Sequence, residues 1–379
     1  MTITCTEDFR RLYKARVPKM FHDYAESGSY TESTFRCNES DFTRLNIRQR
    51  VGVDISEIDT RAQMAGEDAA LPVAFAPVGM LGIQNIGGEI KVAQAAKQKG
   101  VPFILSTMSV ASVEQVAKAT GAPFWFQLYV VKDRDFVRDM IHRAKASGCS
   151  QLVVTMDLAM LGQRHKDVKN KLSIRPTLKN LINIATKPRW AYDFVSGPAV
   201  SFGNVVGHAK GVDDLASLLT WAAEMVDPAL DWDDIAWIRK EWGGPVILKG
   251  IMDVEDARIA ADMGIETIVV SNHGGRQLDG AGSTISWLPK IADAVGDRVE
   301  LLLDSGVRTG MDIFRARGLG ASGVLLGRAM VYALGAQGKP GVDRLLTLLE
   351  KELRTTMGLA GKTRLGDIGR GDVYWSEGP

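Results

Sequence analysis

Residues 245–280 read PVILKGIMDVEDARIAADMGIETIVVSNHGGRQLDG, and they contain the unit from which the fold is built. Two apolar runs of strand length, 245–251 and 267–272, flank the segment DVEDARIAADMG, which has helical periodicity and ends at Gly264. Nearly continuous apolar runs are typical of parallel strands buried on both faces, and glycine commonly terminates a helix. The stretch therefore predicts a strand, a helix and a second, parallel strand.

The same unit recurs eight times from residue 73 onward. Eight strand–helix units of this spacing predict an α/β protein with a (β/α)8 barrel, also called a TIM barrel. A doubly wound sheet is the alternative, and it is disfavoured because no GxGxxG motif opens the first unit. The predicted strands are residues 73–79, 102–107, 124–130, 151–157, 245–251, 267–272, 299–306 and 323–328.

The spacing of these units predicts one domain over residues 1–379, with a partly helical N-terminal extension at 1–72 and the barrel at 73–360. A long loop, 158–230, follows the fourth strand, and loops of this length are usually functional or mobile. Within it, residues 165–190 contain seven basic residues, one acidic residue and interleaved apolar residues. This composition predicts either a basic amphipathic surface that contacts a membrane or an acidic partner, or a solvated loop.

The overall composition limits the classes of function. Lys and Arg total 46 against 45 for Asp and Glu, and this near-neutral balance argues against a nucleic-acid-binding protein. The three cysteines are widely spaced and no HExxH motif occurs, so we expect neither a disulfide scaffold nor a metal site. No apolar run approaches the roughly 18 residues of a membrane helix. With no apolar signal segment, we expect a cytoplasmic protein whose membrane contact, if any, is peripheral.

The active site of a (β/α)8 barrel lies at the carboxyl ends of its strands. The sixth strand ends in SNHGGRQLDG, which places His273 and Arg276 on a glycine-flanked loop there. A histidine can act as a base near neutral pH, and an arginine can bind a carboxylate through two hydrogen bonds. The pair predicts acid–base chemistry on a substrate that bears a carboxylate.

Two further charged residues end neighbouring strands. Asp157, after the fourth strand, could orient His273 and favour its protonated form, or it could be a turn residue. Lys249, at the end of the fifth strand, could form a Schiff base, stabilise a developing anion or take part in a structural ion pair.

The last two strands end in DSGVRTG (304–310) and LLGRA (325–329). Loops at these positions often bind phosphate, because glycines expose backbone N–H groups and arginines supply charge. A phosphorylated ligand is therefore predicted. The candidate residues are Gly306, Gly310, Gly327, Arg308 and Arg328.

The first three strands end in APVGM, STMS and FQLYV, and they bring Gly79, Ser106, Gln127 and Tyr129 to the same face. Ser106 and Gln127 can hydrogen-bond the edge of a heterocycle, and Tyr129 can bond a substrate hydroxyl. Buried strand residues of these types more often have a packing role, so each residue on its own is weak evidence for a binding site.

Taken together, these residues resemble the FMN-dependent enzymes that oxidise α-hydroxy acids, which include glycolate oxidase, lactate oxidase, mandelate dehydrogenase and bacterial quinone-linked L-lactate dehydrogenase. The resemblance covers almost the whole chain, and its most specific motif is SNHGGRQLDG. KGIMDVEDAR and VVSNHGGRQLDG are most similar to the lactate dehydrogenase branch. The other matching motifs are VPKMFHDYAESG, APVGM, LST, WFQLYV, VTMD, ILKGI, DSGVRTG and LLGRA.

The resemblance implies a role for each candidate residue. His273 is the base, Asp157 stabilises its protonated form, and Lys249 lies near the flavin. The implied substrate-binding residues are Tyr24 and Arg276 on the carboxylate, Tyr129 on the hydroxyl, Arg164 as a mobile second cation, and Met108 on the side chain. The implied FMN-binding residues are Pro77, Val78, Gly79, Ser106, Gln127, Thr155, Lys249, Ser271, Asp304, Gly306, Arg308, Gly327 and Arg328.

The implied reaction is FMN-dependent oxidation of an L-2-hydroxy acid to the 2-oxo acid. Met108 replaces the Trp of glycolate oxidases and favours a small substrate such as L-lactate over (S)-mandelate. Gly79 replaces the Ala of the oxidases, and together with the long basic loop it favours a quinone or other organic acceptor. The alternative is an oxidase that reduces O2 to hydrogen peroxide. The resemblance also implies a homotetramer, and residues 165–190 would contact the inner face of the cytoplasmic membrane.

Overall fold

The computed structural model describes residues 2–170, 177–197, 200–212 and 224–376, together with Ser217 and Trp221. Three helices come first, and they are α1 (Thr6–Arg16), α2 (Lys19–Ala25) and α3 (Ser33–Arg44). A short strand, β1 (Leu45–Ile47), follows them. An antiparallel hairpin of β2 (Ala62–Met64) and β3 (Glu67–Ala69) then leads into the barrel.

Eight parallel strands form the central sheet, and the predicted (β/α)8 barrel is confirmed. They are β4 (Val73–Phe75), β5 (Ile104–Ser106), β6 (Trp125–Tyr129), β7 (Gln151–Thr155), β8 (Val246–Ile251), β9 (Thr267–Val270), β10 (Glu300–Leu303) and β11 (Gly323–Leu326). The hydrogen-bonded order runs from β4 through β11 and down to β5. A bridge between Phe75 and Phe103 joins the two ends and completes the ring.

Helices cover the outside of the ring, and several begin at a side chain that accepts backbone N–H bonds, such as Ser112, Asp133 and Asp231. In chain order the described helices are α4 (Leu81–Gln84), α5 (Gly88–Lys99), α6 (Val113–Thr120), α7 (Arg134–Ala146), α8 (His165–Lys169), α9 (Leu178–Ala185), α10 (Pro188–Ser196), α11 (Trp232–Trp242), α12 (Val254–Asp262), α13 (Thr284–Val295), α14 (Gly310–Gly318), α15 (Arg328–Gln337) and α16 (Lys339–Leu359).

Most predicted strands run a few residues too far at their carboxyl ends. The first predicted strand, 73–79, pairs only as far as Phe75, and the seventh, 299–306, pairs only as far as Leu303. Beyond Leu303 the backbone turns sharply, with φ of +70° at Ser305 and +99° at Gly306. These residues leave the strand ladder and line a cavity instead.

Both faces of the strands are buried, which explains their nearly continuous apolar sequences. Inside the ring, Trp125, Val153 and Leu302 belong to an inner cluster, while the outward-facing residues join the larger core beneath the helices. The β2–β3 hairpin closes the amino end of the barrel, where Met64 is fully buried. A Cβ atom on Gly323 would lie 2.6 Å from the Met64 Cε, so any larger residue there would require the Met64 side chain to move.

The chain continues past the predicted end of the barrel at residue 360. A short strand, β12 (Val373–Trp375), pairs antiparallel with β1, and Val373 lies opposite Ile47. The last described residues therefore fold onto the N-terminal extension. None of the helices in the described ranges is long and apolar enough to cross a membrane.

The long connection at 158–230 has its own secondary structure. It contains α8, α9 and α10, and helix α9 bonds to the N-terminal extension where the Lys19 N–H donates to Asn183 Oδ1 at 2.7 Å. Lys171, Leu172 and Arg175, which contributed to the predicted basic amphipathic surface, lie outside the described residues.

Candidate active site

A cavity of about 670 Å³ opens at the carboxyl ends of the barrel strands. Its volume is within the range of roughly 300–1,000 Å³ found for small-molecule and cofactor sites. Five predicted site residues are not part of its lining: Ser106, Gln127, Thr155 and Ser271 are buried, and Asp157 is partly buried. The predicted site residues that line it are Tyr24, Pro77, Val78, Gly79, Met108, Tyr129, Arg164, Lys249, His273, Arg276, Asp304, Gly306, Arg308, Gly327 and Arg328.

His273 and Asp157 form a hydrogen-bonded pair at this face. His273 Nδ1 lies 2.9 Å from Asp157 Oδ1. Burial alone would raise the pKa of Asp157, but His273 and Lys249 outweigh it and lower that pKa below its usual value. Asp157 is therefore a carboxylate at neutral pH, and it faces an imidazole that can take up a proton.

The backbone of the loop after β9 and an irregularity within strand β8 make this pair possible. His273 has φ of +56°, and its N–H donates to Ser271 Oγ at 3.1 Å, which fixes the start of the loop. Gly250 has φ of +103°, and a Cβ atom there would lie 2.8 Å from Asp157 Cβ. Only glycine both adopts this backbone conformation without strain and leaves space for the Asp157 side chain.

Lys249 is a buried cation beneath the cavity. Its Nζ lies 3.0 Å from Asp304 Oδ2 and donates to Ser271 Oγ at 2.8 Å. Burial alone would lower the pKa of Lys249, but Asp304 and Asp157 outweigh it and raise that pKa. The ammonium stays charged, which suits it for stabilising a negative charge and not for attacking a carbonyl.

Arg276 is held in place by backbone and aromatic contacts. Its Nη1 donates to the Tyr24 carbonyl at 2.7 Å and to Ser27 Oγ at 3.0 Å. Its guanidinium carbon lies 4.8 Å from the centroid of the Tyr24 ring. Burial and the nearby charge of Arg164 lower the pKa of Arg276. Two cations that approach each other in this way form a site for an anion.

Arg164 was expected to be a mobile cation, but here it is paired. Its Nε donates to Asp167 Oδ2 at 2.6 Å, and Asp167 Oδ1 accepts a hydrogen bond from Ser27 Oγ at 3.2 Å. Nearby, burial and the charge of Asp157 raise the pKa of Tyr129. The Tyr129 hydroxyl therefore stays protonated and can donate a hydrogen bond to a ligand.

Arg308 and Arg328 also line the cavity, and Arg328 shares the Ser27 carbonyl with Arg276. Arg328 donates to the carbonyls of Ala25, Gly274 and Ser27 at 2.8–2.9 Å. Burial lowers the pKa of Arg328 to about 10, and the neighbouring arginines add to this effect. Arg308 donates to Glu39 at 2.7 Å, while its Nε is buried without a hydrogen-bond partner in the described part of the chain.

A chain of polar side chains crosses three strands behind the cavity wall. Ser106 Oγ donates to Gln127 Oε1 at 2.9 Å, and Gln127 Nε2 donates to Thr155 Oγ1 at 3.0 Å. In front of this chain lies Gly79, where a Cβ atom would be only 3.1 Å from the Met108 carbonyl oxygen. The wall beside Gly79 is therefore narrow, and an added methyl group would displace Met108.

Residues 13–375 match the sequence profile of the FMN-dependent dehydrogenase family. The chain belongs to this family. It is 46% identical over 375 residues to an L-lactate dehydrogenase of Caulobacter sp. (strain K31), which covers 98% of each chain. It is 44% identical to an L-lactate dehydrogenase of Ectopseudomonas mendocina (strain ymp), covering 97% of this chain and 98% of the relative. The resemblance inferred from the motifs is confirmed.

Solved structures of the family share the fold over nearly the whole chain. The monotopic membrane protein (S)-mandelate dehydrogenase superposes with a TM-score of 0.94 at 33% identity, covering 99% of this chain and 100% of the other. A mandelate oxidase solved with benzoyl-formic acid superposes with a TM-score of 0.82 at 36% identity, covering 96% of each chain.

The residues present fit FMN, which is the cofactor of this family. The unpartnered Nε of Arg308 is a buried donor that a phosphate oxygen can satisfy. Gly327 immediately precedes helix α15, and a Cβ atom there would meet nothing closer than Ala76 Cβ at 3.9 Å. A phosphate can therefore approach the positive end of this helix. Asp304 can accept hydrogen bonds from the ribityl hydroxyls, and Lys249 supplies positive charge for the flavin ring.

The apolar half of the cavity was not predicted from the sequence. We call this half the outer chamber, and we define it by Phe21, Ile83, Ile184, Trp190 and Phe194. These residues come from helices α2, α4, α9 and α10 and not from the ends of strands. The apolar residues interleaved in 165–190 were the available signal, but the sequence did not show that part of that face points inward.

Proposed function

We propose that this member of the FMN-dependent dehydrogenase family oxidises L-lactate to the 2-oxo acid pyruvate and passes the electrons to a quinone at a membrane surface. The observation that carries the proposal is that His273, which is paired with Asp157, lines the same cavity as Arg276. A base and a carboxylate-binding group are thereby placed within reach of one small substrate.

The substrate would be oriented through its polar groups. Arg276 and Arg164 bind the carboxylate, and the Tyr129 hydroxyl donates to the oxygen of the 2-hydroxyl group. Because both cations are anchored, by Ser27 and Asp167 respectively, they can hold the carboxylate with little loss of side-chain entropy. This arrangement presents the hydroxyl-bearing carbon to His273.

His273 acts as the base. Since Nδ1 is bonded to Asp157, Nε2 is the nitrogen that receives a proton from the substrate. The buried Asp157 carboxylate stabilises the imidazolium that results. When bound, FMN supplies the two-electron acceptor that such an oxidation needs.

The relatives at 44–46% identity are L-lactate dehydrogenases, and this favours L-lactate as the substrate. (S)-Mandelate is the second candidate, because the structural neighbour with a TM-score of 0.94 is an (S)-mandelate dehydrogenase. The values of kcat/KM for the two acids decide between them. A higher value for (S)-mandelate would replace L-lactate as the substrate.

A quinone is favoured over O2 by Gly79 and by the apolar surface of the long connection. The test uses the visible spectrum of the purified, FMN-loaded protein. Excess L-lactate without oxygen should bleach the flavin band, and a quinone analogue should restore it much faster than air does. Rapid recovery in air with stoichiometric hydrogen peroxide would show an oxidase instead. A band that L-lactate does not bleach would refute the substrate assignment.

We further propose peripheral contact between residues 165–190 and the cytoplasmic face of a membrane. Leu178 and Tyr192 on helices α9 and α10 are 75% and 73% exposed, and Lys179 and Arg189 are exposed beside them. Apolar and basic side chains on one surface are typical of interfacial helices. Other basic residues of this segment have internal partners; for example, Lys187 donates to the Ala15 carbonyl at 2.7 Å.

Liposome co-sedimentation tests this contact. The double substitution Lys179→Glu and Arg189→Glu should reduce binding to vesicles that contain anionic lipid. Arg61→Glu, next to the hairpin at the opposite end of the barrel, is the matched control and should bind as the unaltered protein does. Equal binding by all three proteins would refute the proposal. The homotetramer implied by the resemblance is also a proposal, and light scattering of the purified protein measures it.

A further inference from the structure

We propose that the outer chamber binds the ring of a lipid-soluble quinone, the electron acceptor, at a subsite separate from the residues that hold the hydroxy acid. This inference rests on the proposed function and locates the second substrate within the same cavity. It is carried by the geometry of Phe21, Trp190 and Phe194 and by the surface onto which the chamber opens.

The cavity has two chemically different ends. At one end His273, Arg276 and Tyr129 present charged and polar groups that suit a carboxylate and a hydroxyl. At the other end Phe21, Ile184 and the remaining side chains of the outer chamber are apolar or aromatic. L-Lactate would use the polar end, and the residues assigned to FMN, such as Lys249 and Arg308, are not among those of the outer chamber. The apolar end is therefore left for a second, apolar ligand.

The aromatic rings of the chamber are fixed in position before any ligand arrives. Trp190 stacks on Phe194 with 4.7 Å between ring centroids and 18° between planes, and its other neighbour, Phe21, has its ring centroid 5.3 Å away. The Trp190 Nε1–H donates to the Ile83 carbonyl at 3.0 Å, which fixes the rotation of the indole. The Phe21 ring is tilted by 33° to the indole, so the wall consists of one stacked pair and one tilted ring. Aromatic rings held in this way suit a flat ligand ring and cost little entropy on binding.

The chamber opens onto the proposed membrane surface. Val195 lines the cavity and yet is 84% exposed, so it lies at the opening. Leu181 and Ile182, on the preceding helix α9, are 50% and 61% exposed. A ligand dissolved in the apolar part of a bilayer could therefore enter between α9 and α10 without crossing bulk water.

The overall redox balance fits this pair of subsites. The hydroxy acid loses two electrons and two protons as its C–H and O–H bonds become a C=O bond. The quinone takes up two electrons and two protons as its two carbonyls become the hydroxyls of the quinol. His273 releases the proton that it received from the acid, and solvent exchange completes the transfer.

The first experiment measures binding and does not depend on turnover. Equilibrium dialysis of the oxidised, FMN-loaded protein against a short-chain benzoquinone analogue should show one site. Trp190→Ala and Phe194→Ala should each weaken its dissociation constant by roughly tenfold, because each removes an aromatic wall. Trp190→Phe should retain most of the binding, which separates loss of the ring from misfolding. Asp193→Ala, exposed on the same helix and not part of the cavity lining, is the control and should bind as the unaltered protein does.

The second experiment measures electron transfer to the quinone with no hydroxy acid present. The protein is reduced with dithionite and mixed with the quinone in a stopped-flow instrument. The apparent quinone constant for flavin recovery should rise about tenfold in Trp190→Ala, while recovery with ferricyanide should slow far less. Because lactate is absent, failure of the proposed substrate leaves this test intact.

Two results would overturn the inference. Unchanged quinone binding in both alanine variants would show that the chamber does not hold the ring. A larger effect of Trp190→Ala on KM for L-lactate or (S)-mandelate than on the quinone constant would show that the chamber holds the side chain of the hydroxy acid.

Discussion

Replacing Asp157 by asparagine tests how the active site stabilises charge on His273. The substitution keeps the size of the side chain and leaves an amide oxygen that can accept the 2.9 Å bond from His273 Nδ1. It removes the negative charge. Asp157 Oδ2 is buried without a hydrogen-bond partner in the described residues, so the new amide N–H2 gains no compensating acceptor there.

The size of the effect follows from the geometry of the pair. Opposite charges about 4 Å apart attract by about 4 kcal/mol at an effective dielectric constant near 20, and a neutral hydrogen bond retains about 1 kcal/mol of this. The imidazolium that forms during the reaction therefore loses about 3 kcal/mol of stabilisation. At about 1.4 kcal/mol per factor of ten, kcat/KM for L-lactate should fall by roughly 150-fold.

The assay is steady-state oxidation of L-lactate with an artificial acceptor, together with the flavin content and the thermal transition of each protein. Asp157→Asn should retain FMN and show the loss in kcat more than in KM. Asp193→Asn removes an exposed carboxylate on α10 and controls for a general change of charge. A loss below about fivefold in fully FMN-loaded protein, against the roughly 150-fold expected, would refute the reasoning, since charge stabilisation by Asp157 could then not be large.

Three further predictions use other contacts. His273→Gln should keep FMN bound but lose turnover by orders of magnitude, because glutamine cannot accept the proton; full activity would exclude His273 as the base. Asp167→Asn should raise KM for L-lactate several-fold with a smaller change in kcat, because Arg164 loses the carboxylate that anchors it at 2.6 Å; an unchanged KM would exclude that role. Glu114→Gln should reduce the free energy of unfolding at pH 7. Burial alone would raise the pKa of Glu114, but Arg143 outweighs it and lowers that pKa to about 2. The stabilisation is therefore complete above the ordinary value near 4.5 and is lost as pH falls toward 2. Because Glu114 is half exposed, we expect about 1 kcal/mol, measured by urea unfolding at pH 7 and pH 3. A difference that grows as the pH falls would contradict the assignment.

The barrel could be predicted from the sequence because its strands are buried on both faces. Strands buried on both faces consist of nearly continuous apolar residues. The helices between them show a helical period of apolar residues and often end at a glycine. The strand ends were less predictable. Residues 76–79 are as apolar as a strand, but they line the cavity. An apolar run in the sequence does not distinguish residues that pair in a strand from residues that line a cavity. Strands of three residues such as β1 and β12 are too short to show any periodicity.

The polar half of the candidate site was predictable because its residues follow strands in sequence. His273, Arg276 and Lys249 each end or follow a strand, so the barrel topology alone brings them together. The outer chamber was not predictable in this way. Trp190 and Phe194 lie on a helix whose inward face is set by contacts with Phe21 and Ile83, far away in sequence. Ser106, Gln127 and Thr155 lie behind the cavity wall, bonded to one another across three strands.

The pairing of β1 with β12 has a consequence for how the protein is made. A ribosome synthesises Leu45–Ile47 early, whereas its partner Val373–Trp375 emerges only after the whole barrel has been made. Until then β1 lacks this partner and is an unpaired strand, the kind of surface on which nascent chains associate with one another. Helix α3, which leads directly into β1, supplies Asn38, whose side chain bonds Asn272 beside the catalytic loop. The pairing of β1 with β12, which forms only after most of the chain has been made, thus holds the segment that supports a loop near the candidate active site.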